Sequence, residues 1–293
     1  MYEEKKSIVR DFFLNFKYLK RKLKETVFFN FLYGSKNNYI LKLDNLQTIY
    51  STEDEHSKHW FFPRYSGKRI HEPVVTKMLI DTLSKTDIFV DVGTHLGYFT
   101  CIAGKICKEG KIYGFELDKN AFDLLNKNIS LNNLKNVEVY NYGVSDKKGY
   151  VKIPKITLPS PVLSFSKDCE DGDYRLVKSI SLDDFFLDKK HKPNVIKIDV
   201  EGSELFVLKG MKNLLKDEKL TIFLEIHGRS LHKFDTDSKE IISFIKKRGY
   251  LIYEILNHRR NMKDMGEILK EIEEDNLIDY NTMLYITKNM NSV

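Results

Sequence analysis

The sequence predicts an α/β domain with a mostly parallel seven-stranded sheet and helices on both faces, preceded by an N-terminal α/β extension. Three observations predict it. Short apolar runs alternate with segments of helical period from residue 88 onward, the pattern of parallel strands joined by helical crossovers. The first run ends in a glycine-bearing turn, Asp91-Val92-Gly93-Thr94-His95-Leu96-Gly97, directly before a helical segment. Residues 1–70 have a different character, so the chain divides into an extension, 1–70, and a core domain, 71–293.

In the extension, positions 17–24 read Lys-Tyr-Leu-Lys-Arg-Lys-Leu-Lys, and an aromatic-rich run spans Val27 to Tyr33. This predicts a basic helical segment. It either packs on the core with its lysines solvated or, through residues 10–33, touches an anionic membrane surface or a partner. Short strand-like pieces follow at Tyr39–Leu43 and Thr48–Tyr50, with an aromatic patch at Trp60-Phe61-Phe62-Pro63.

In the core, Val74, Val75, Met78, Leu79 and Leu83 recur on a helical period across 72–83. Strands are expected at Ile88–Val92, Lys111–Glu116 and Val137–Asn141, with helices at Tyr98–Cys107 and Lys119–Leu131. The alternation resumes with strand Val195–Asp199, helix Ser203–Leu215, strand Leu220–Ile226, helix Ser238–Lys247, strand Tyr250–Ile255 and a last strand, Thr282–Thr287. Between them lies a long connection, Ser145 to Asn194. Its stretch 154–178 holds prolines and an acidic patch, Asp168 to Asp173, and is read as a substrate-loop insertion or a plain surface excursion.

Composition narrows the class. A net charge of +6 does not by itself imply nucleic acid, and no DNA partner is expected. Three cysteines, Cys101, Cys107 and Cys169, do not make a disulfide framework and fit a cytoplasmic protein, with membrane contact only at the periphery. No apolar run is long enough to span a bilayer. Zinc spacings are absent. The sequence leaves the oligomeric state open.

The turn at Asp91–Gly97 lacks the Gly-x-Gly-x-x-Gly spacing that seats a pyrophosphate. Gly93 and Gly97 are expected to let the backbone approach a ligand. Asp91, ending the first strand, would repel a pyrophosphate and suits a cationic ligand such as S-adenosylmethionine, with its sulfonium and ammonium groups. Glu116, with Leu117 beside it, ends the next strand, where a carboxylate can accept both ribose hydroxyls. Asp146, after the third strand, either reads the adenine or caps a turn. His95 lies within the glycine turn and is grouped with these cofactor residues.

The fourth strand leads into Lys197-Ile198-Asp199-Val200-Glu201-Gly202-Ser203-Glu204, and the fifth supplies Glu225 and His227 on one side, by period two. Ligands of open α/β sheets bind at this carboxyl edge. The runs Asp91–Thr100, Glu116, Ser181–Asp184 and above all Lys197–Glu204 resemble the motifs of the FkbM family of O-methyltransferases, over about residues 70–255. His95 is a departure, since the family more often carries Asn there.

The resemblance implies a Rossmann-like class I methyltransferase. It also implies methyl transfer from S-adenosylmethionine to an oxygen of a sugar, glycan, glycolipid or small metabolite. A sugar hydroxyl is protonated at neutral pH, so a base or metal would help. Candidate bases are Asp199, Glu225 and His227, and Asp199 is also expected near the cofactor. A Mg²⁺ held by Asp199, Glu225 and waters is a second option, although no dedicated metal site is read from the sequence. Glu201 and Glu204 open a helix, where carboxylates are favoured on electrostatic grounds alone. Two further classes stay open: an RNA or protein methyltransferase using the basic segment, and a binding protein that kept the fold without catalysis.

Overall fold

A computed structural model describes residues 27, 37–43, 45–65, 70–154, 174–258 and 268–289. The chain divides into two compact units, Met1–His71 and Glu72–Val293. The basic run at 17–24, residues 155–173 with the acidic patch, and Cys169 lie outside the described residues, as does the proposed contact segment 10–33 apart from Val27.

In the first unit, β1 (Asn38–Leu43) and β2 (Leu46–Ser51) form an antiparallel hairpin. Alternation places Tyr39 and Leu41 on the buried face of β1. Phe62 from the aromatic patch stacks on Tyr39 at 4.6 Å and meets Tyr50 at 5.4 Å. Phe61, ending one helical turn, and Phe62 and Pro63, in the 3₁₀ turn that follows, are therefore core.

The second unit begins with α1 (Pro73–Thr82), β3 (Ile88–Val92), α2 (Tyr98–Ile106), β4 (Lys111–Phe115), α3 (Lys119–Leu131) and β5 (Val137–Tyr140). β6 (Gly143–Val144), β7 (Gly149–Pro154), β8 (Tyr174–Ile180) and α4 (Leu182–Phe185) follow. The chain continues through β9 (Val195–Ile198), α5 (Glu204–Lys209), β10 (Thr221–His227), α6 (Ser238–Lys246), β11 (Leu251–Ile255), β12 (Leu269–Glu271) and β13 (Asn281–Thr287).

The main sheet has the order β12-β11-β13-β10-β9-β3-β4-β5. β3, β4, β5, β9 and β10 pair in parallel, while β13 inserts antiparallel between β10 and β11. This is the Rossmann-like class I methyltransferase architecture expected above, with eight strands instead of seven. The extra strand, β12, pairs antiparallel with β11 at the edge. All seven residues of β10 and six of β13 are buried, which explains their near-continuous apolar sequence. Each buried Ile, Leu or Phe there contributes roughly 1.5–3 kcal/mol.

Two local expectations change. The helix read over 203–215 ends at Lys209 and resumes as a 3₁₀ turn at Leu214–Lys216. Gly210 is the break. A Cβ there would stand 2.0 Å from the Ser145 carbonyl oxygen, so the two backbones touch. The connection 145–194 is also not all loop: β7 pairs antiparallel with β8, and β6 pairs parallel with β8. Residues 155–173 join the two strands of that hairpin. Arg175 ties it to Asp118 at 2.6 Å, and Asp118 also caps α3 by accepting from the Ala121 N–H.

Among the described residues, no helix is long and apolar enough to cross a membrane. Cys101 and Cys107 are buried free thiols, and burial pushes both up, Cys107 to about 12.

Candidate active site

The turn after β3 is held by the neighbouring strand. Gly93 and Thr94 N–H groups donate to the Phe115 carbonyl at 2.9 and 3.2 Å. Gly93, His95 and Gly97 all have positive φ, at 81°, 51° and 86°. The glycines serve packing of the chain against itself. A Cβ on Gly93 would lie 1.9 Å from the Asp199 carbonyl oxygen, and one on Gly97 would lie 2.4 Å from Leu125 Cδ1. Both glycines thus also leave room for a close protein contact on the side where a Cβ would stand. Gly93→Ala is expected to cost about 3 kcal/mol, because it strains φ and collides with an immobile carbonyl. Calorimetry should show a fall in Tm of roughly 6–12 °C; a shift below about 1 °C would contradict this packing.

Asp91 ends β3 in full burial. Thr100 Oγ1 donates to its Oδ2 at 2.6 Å, while Oδ1 has no partner among the described residues. Burial raises its pKa, against the opposing pull of Lys197. Thr94 Oγ1, in the same turn, is also buried without a partner among the described residues. Glu116 is buried past the end of β4. Its Oε2 accepts from the His95 N–H at 2.7 Å and its Oε1 from the Asp118 N–H at 2.8 Å. Burial pushes its carboxyl up to about 7 despite those two donors.

Leu117 is half-buried, and its carbonyl accepts from Asn141 Nδ2 at 3.2 Å, as the Glu116 carbonyl does at 2.7 Å. Asn141, a fastener of this loop, was not singled out in the sequence; its place just after the third strand was the available signal. Asp146 stands apart. It is exposed and accepts from Ser145 Oγ at 3.2 Å, and among the described residues no hydrogen bond ties it to Asp91 or Glu116. Of the other motif residues, Ser181 caps α4, and Asp183 accepts from the Asn213 and Leu214 N–H groups at 2.9 and 3.1 Å. That motif holds structure.

β9 and β10 bring the remaining residues together. Lys197, opposite Asp91 in the strand register, is buried and donates to Asp199 Oδ2 at 3.0 Å. Burial pulls its pKa down, but Asp199, Asp91, Glu72 and Glu225 outweigh burial and raise it, so it stays an ammonium. His227 is buried with Nδ1 2.7 Å from Glu204 Oε1. Its Nε2 lies 3.3 Å from Glu201 Oε2, 3.7 Å from Asp199 Oδ1 and 3.8 Å from Glu225 Oε1. Burial lowers the ring's pKa, yet the Glu204 hydrogen bond and the charges of Asp199, Glu204 and Glu201 raise it to about 9.

At neutral pH the ring is therefore protonated. The base role expected from its ordinary pKa requires that the surrounding negative charge first be offset. Glu201 and Glu204, read from sequence as helix-opening carboxylates, are in fact the partners of His227. Glu201 sits at φ 55°, and Glu204 also accepts from the Gly202 N–H at 2.9 Å. A second group, Glu72, Glu225 and His258, is wholly buried, with one ligand-type atom from each lying within 4.8 Å of the others. Glu72 and His258 carry no motif signal.

Asp91, Glu116, Asp199, Glu225 and His227 thus lie within two residues of the carboxyl ends of neighbouring strands of one sheet. The chain is 33% identical to the hexuronic acid methyltransferase AglP of Haloferax volcanii over 160 residues, 54% of this chain and 63% of that protein. It therefore spans less than two thirds of that relative. It is 23% identical to the methyltransferase sdnD of Sordaria araneosa over 192 residues, 54% of this chain and 74% of that protein. A solved FkbM methyltransferase from Methylobacillus flagellatus KT is 18% identical, with a TM-score of 0.44, over 70% of this chain and 44% of that one. The Methyltransferase FkbM domain matches residues 91–252, more than half of the sequence and every strand end just described, so the chain belongs to the FkbM methyltransferase family.

Proposed function

We infer that this protein transfers a methyl group from S-adenosylmethionine to a hydroxyl of a sugar, glycan, glycolipid or small metabolite. One observation carries the reading: a buried carboxylate pair, Asp91 and Glu116, stands beside the acid–imidazole group of Asp199, Glu225 and His227 on one sheet edge. The residues present fit the cofactor. Among the described residues, Asp91 Oδ1 is a buried acceptor without a donor, which a cationic ligand would satisfy. Glu116 is a carboxylate fixed by two backbone amides, poised to accept ribose hydroxyls.

S-adenosylmethionine bound there would supply an electrophilic methyl carbon on a sulfonium. Asp91 favours that positive charge, and Glu116 fixes the nucleoside end. Asp199 and Glu225 orient the acceptor hydroxyl and take up its proton, beside the His227 imidazolium that holds the group together. The relative named as a hexuronic acid methyltransferase supports a sugar acceptor. Calorimetric titration with S-adenosylhomocysteine, followed by product analysis against a panel of uronic acids, neutral sugars and lipid-linked glycans, tests the reading. Micromolar binding and a methylated sugar are expected. No binding would overturn the cofactor assignment. Methylation of RNA in preference to every sugar would overturn the acceptor.

A further inference from the structure

We propose that Asp199, Glu201 and His227 form a site for one divalent transition-metal ion at the carboxyl edge of the sheet. Each residue offers one ligand atom, and the three atoms lie within 4.8 Å of one another. His227 Nε2 stands 3.3 Å from Glu201 Oε2 and 3.7 Å from Asp199 Oδ1. Ligands about 2.1 Å from a shared ion stand roughly 3.0–3.4 Å apart, so small side-chain adjustments complete the shell. The Asp199 and Glu201 side chains are 27% and 25% exposed, which leaves open positions for water or an acceptor oxygen.

The other side of the ring is built for the same purpose. Glu204, fully buried, holds Nδ1 at 2.7 Å. When an ion displaces the Nε2 proton, Nδ1–H donates to Glu204 and the Nε2 lone pair faces the two carboxylates. A carboxylate behind an imidazole is the arrangement that orients metal-binding histidines. Four carboxylates, Asp199, Glu201, Glu204 and Glu225, surround the ring, with Lys197 the adjoining cation. A dication on the Nε2 side offsets that excess of negative charge.

An imidazole among oxygen ligands suits Mn²⁺, Fe²⁺ or Zn²⁺ better than Mg²⁺. This set differs in both ion and ligands from the Mg²⁺ option of Asp199, Glu225 and waters read from the sequence. Glu225, 3.8 Å from His227 Nε2, is buried and also lies near Glu72 and His258, so it is not counted among the three ligands. The ion's role rests on the function proposed above, where it draws the acceptor oxygen and eases loss of its proton. Its presence does not depend on that function.

The test uses chelator-treated full-length protein with no cofactor or acceptor. Loss of the free Mn²⁺ paramagnetic resonance signal counts bound ions. One Mn²⁺ per chain is expected, displaced by Zn²⁺ and resistant to equimolar Mg²⁺. Glu201→Gln, on a partly exposed side chain, should weaken binding at least about tenfold, and Glu204→Gln about 10- to 100-fold with the ligands intact. No signal loss at millimolar Mn²⁺ would overturn the proposal, as would binding that survives Glu201→Gln but disappears in His258→Ala. S-adenosylhomocysteine binding, measured separately, distinguishes failure of the metal site from failure of the methyltransferase reading.

Discussion

Lys197→Met is expected to destabilise the core domain by about 3–5 kcal/mol, the cost of leaving buried carboxylates without their cation. Methionine fills a similar volume, so the loss reports charge and not packing. The Lys197 ammonium touches Asp199, sits 4.8 Å from the Phe99 ring and is held charged by Asp91, Glu72 and Glu225 as well. Its folded pKa lies above the unfolded value. Its contribution is therefore full at every pH below about 10.4 and is lost only as pH rises through the higher folded value.

In the variant the dependence moves to the acid side. Asp91, already raised by burial, loses the nearest cation that opposes that rise. A group whose folded pKa is raised weakens the fold as pH climbs through the window between its unfolded and folded values. The variant should thus be nearest to wild type at mildly acidic pH and furthest from it at pH above neutral. Thermal unfolding at several pH values measures this, with a deficit of roughly 6–20 °C at the alkaline end. Equal melting temperatures at neutral pH would show that the carboxylates are satisfied without Lys197.

Such a residue shows where sequence reading works and where it stops. The central strands were legible because burial on both faces writes a nearly continuous apolar run, broken by Lys197 in Val195–Ile198 and by Glu225 in Ile222–Ile226. β12 was not legible, since Leu269-Lys270-Glu271 is three mostly exposed residues at an edge. The helix break at Gly210 follows from contact with Ser145, and no local pattern encodes a partner that distant. The hairpin β7–β8 did leave a trace: Val151 and Ile153 alternate with polar residues, but prolines and length made the whole connection read as loop.

The site divides in the same way. Asp91, Glu116, Asp199 and His227 announce themselves by standing at strand ends. Glu201 and Glu204 sit where helix electrostatics already accounts for acids, so their service to His227 emerges only when β10 folds beside β9. Gly93 and Gly97 were recognised by position, and the packing adds a reason that no local pattern shows.

Glu116→Ala is expected to weaken S-adenosylhomocysteine binding at least about 100-fold, since hydrogen bonds to a charged acceptor are worth roughly 1.5–3 kcal/mol each and two ribose hydroxyls lose theirs. The alanine also frees the His95 and Asp118 N–H groups. Glu116→Gln, which keeps a carbonyl acceptor and the side-chain volume, separates charge from scaffold.

The pH profile identifies the group. Burial holds the Glu116 carboxyl at about 7 in the free protein, so a growing share of it is protonated as pH falls below that value. Ribose hydroxyls donate best to the carboxylate. Wild-type affinity should therefore rise with pH through about 7 and level off above it, falling about tenfold per unit on the acid side. Glu116→Gln carries no titrating group there, so its profile should be flat and low, meeting the wild-type curve only at acid pH. A Gln variant that retains the wild-type slope would move the titration to another carboxyl, Asp91 being the nearest candidate by burial and charge. A Gln variant that binds as tightly as wild type at pH 8 would remove Glu116 from the ribose altogether.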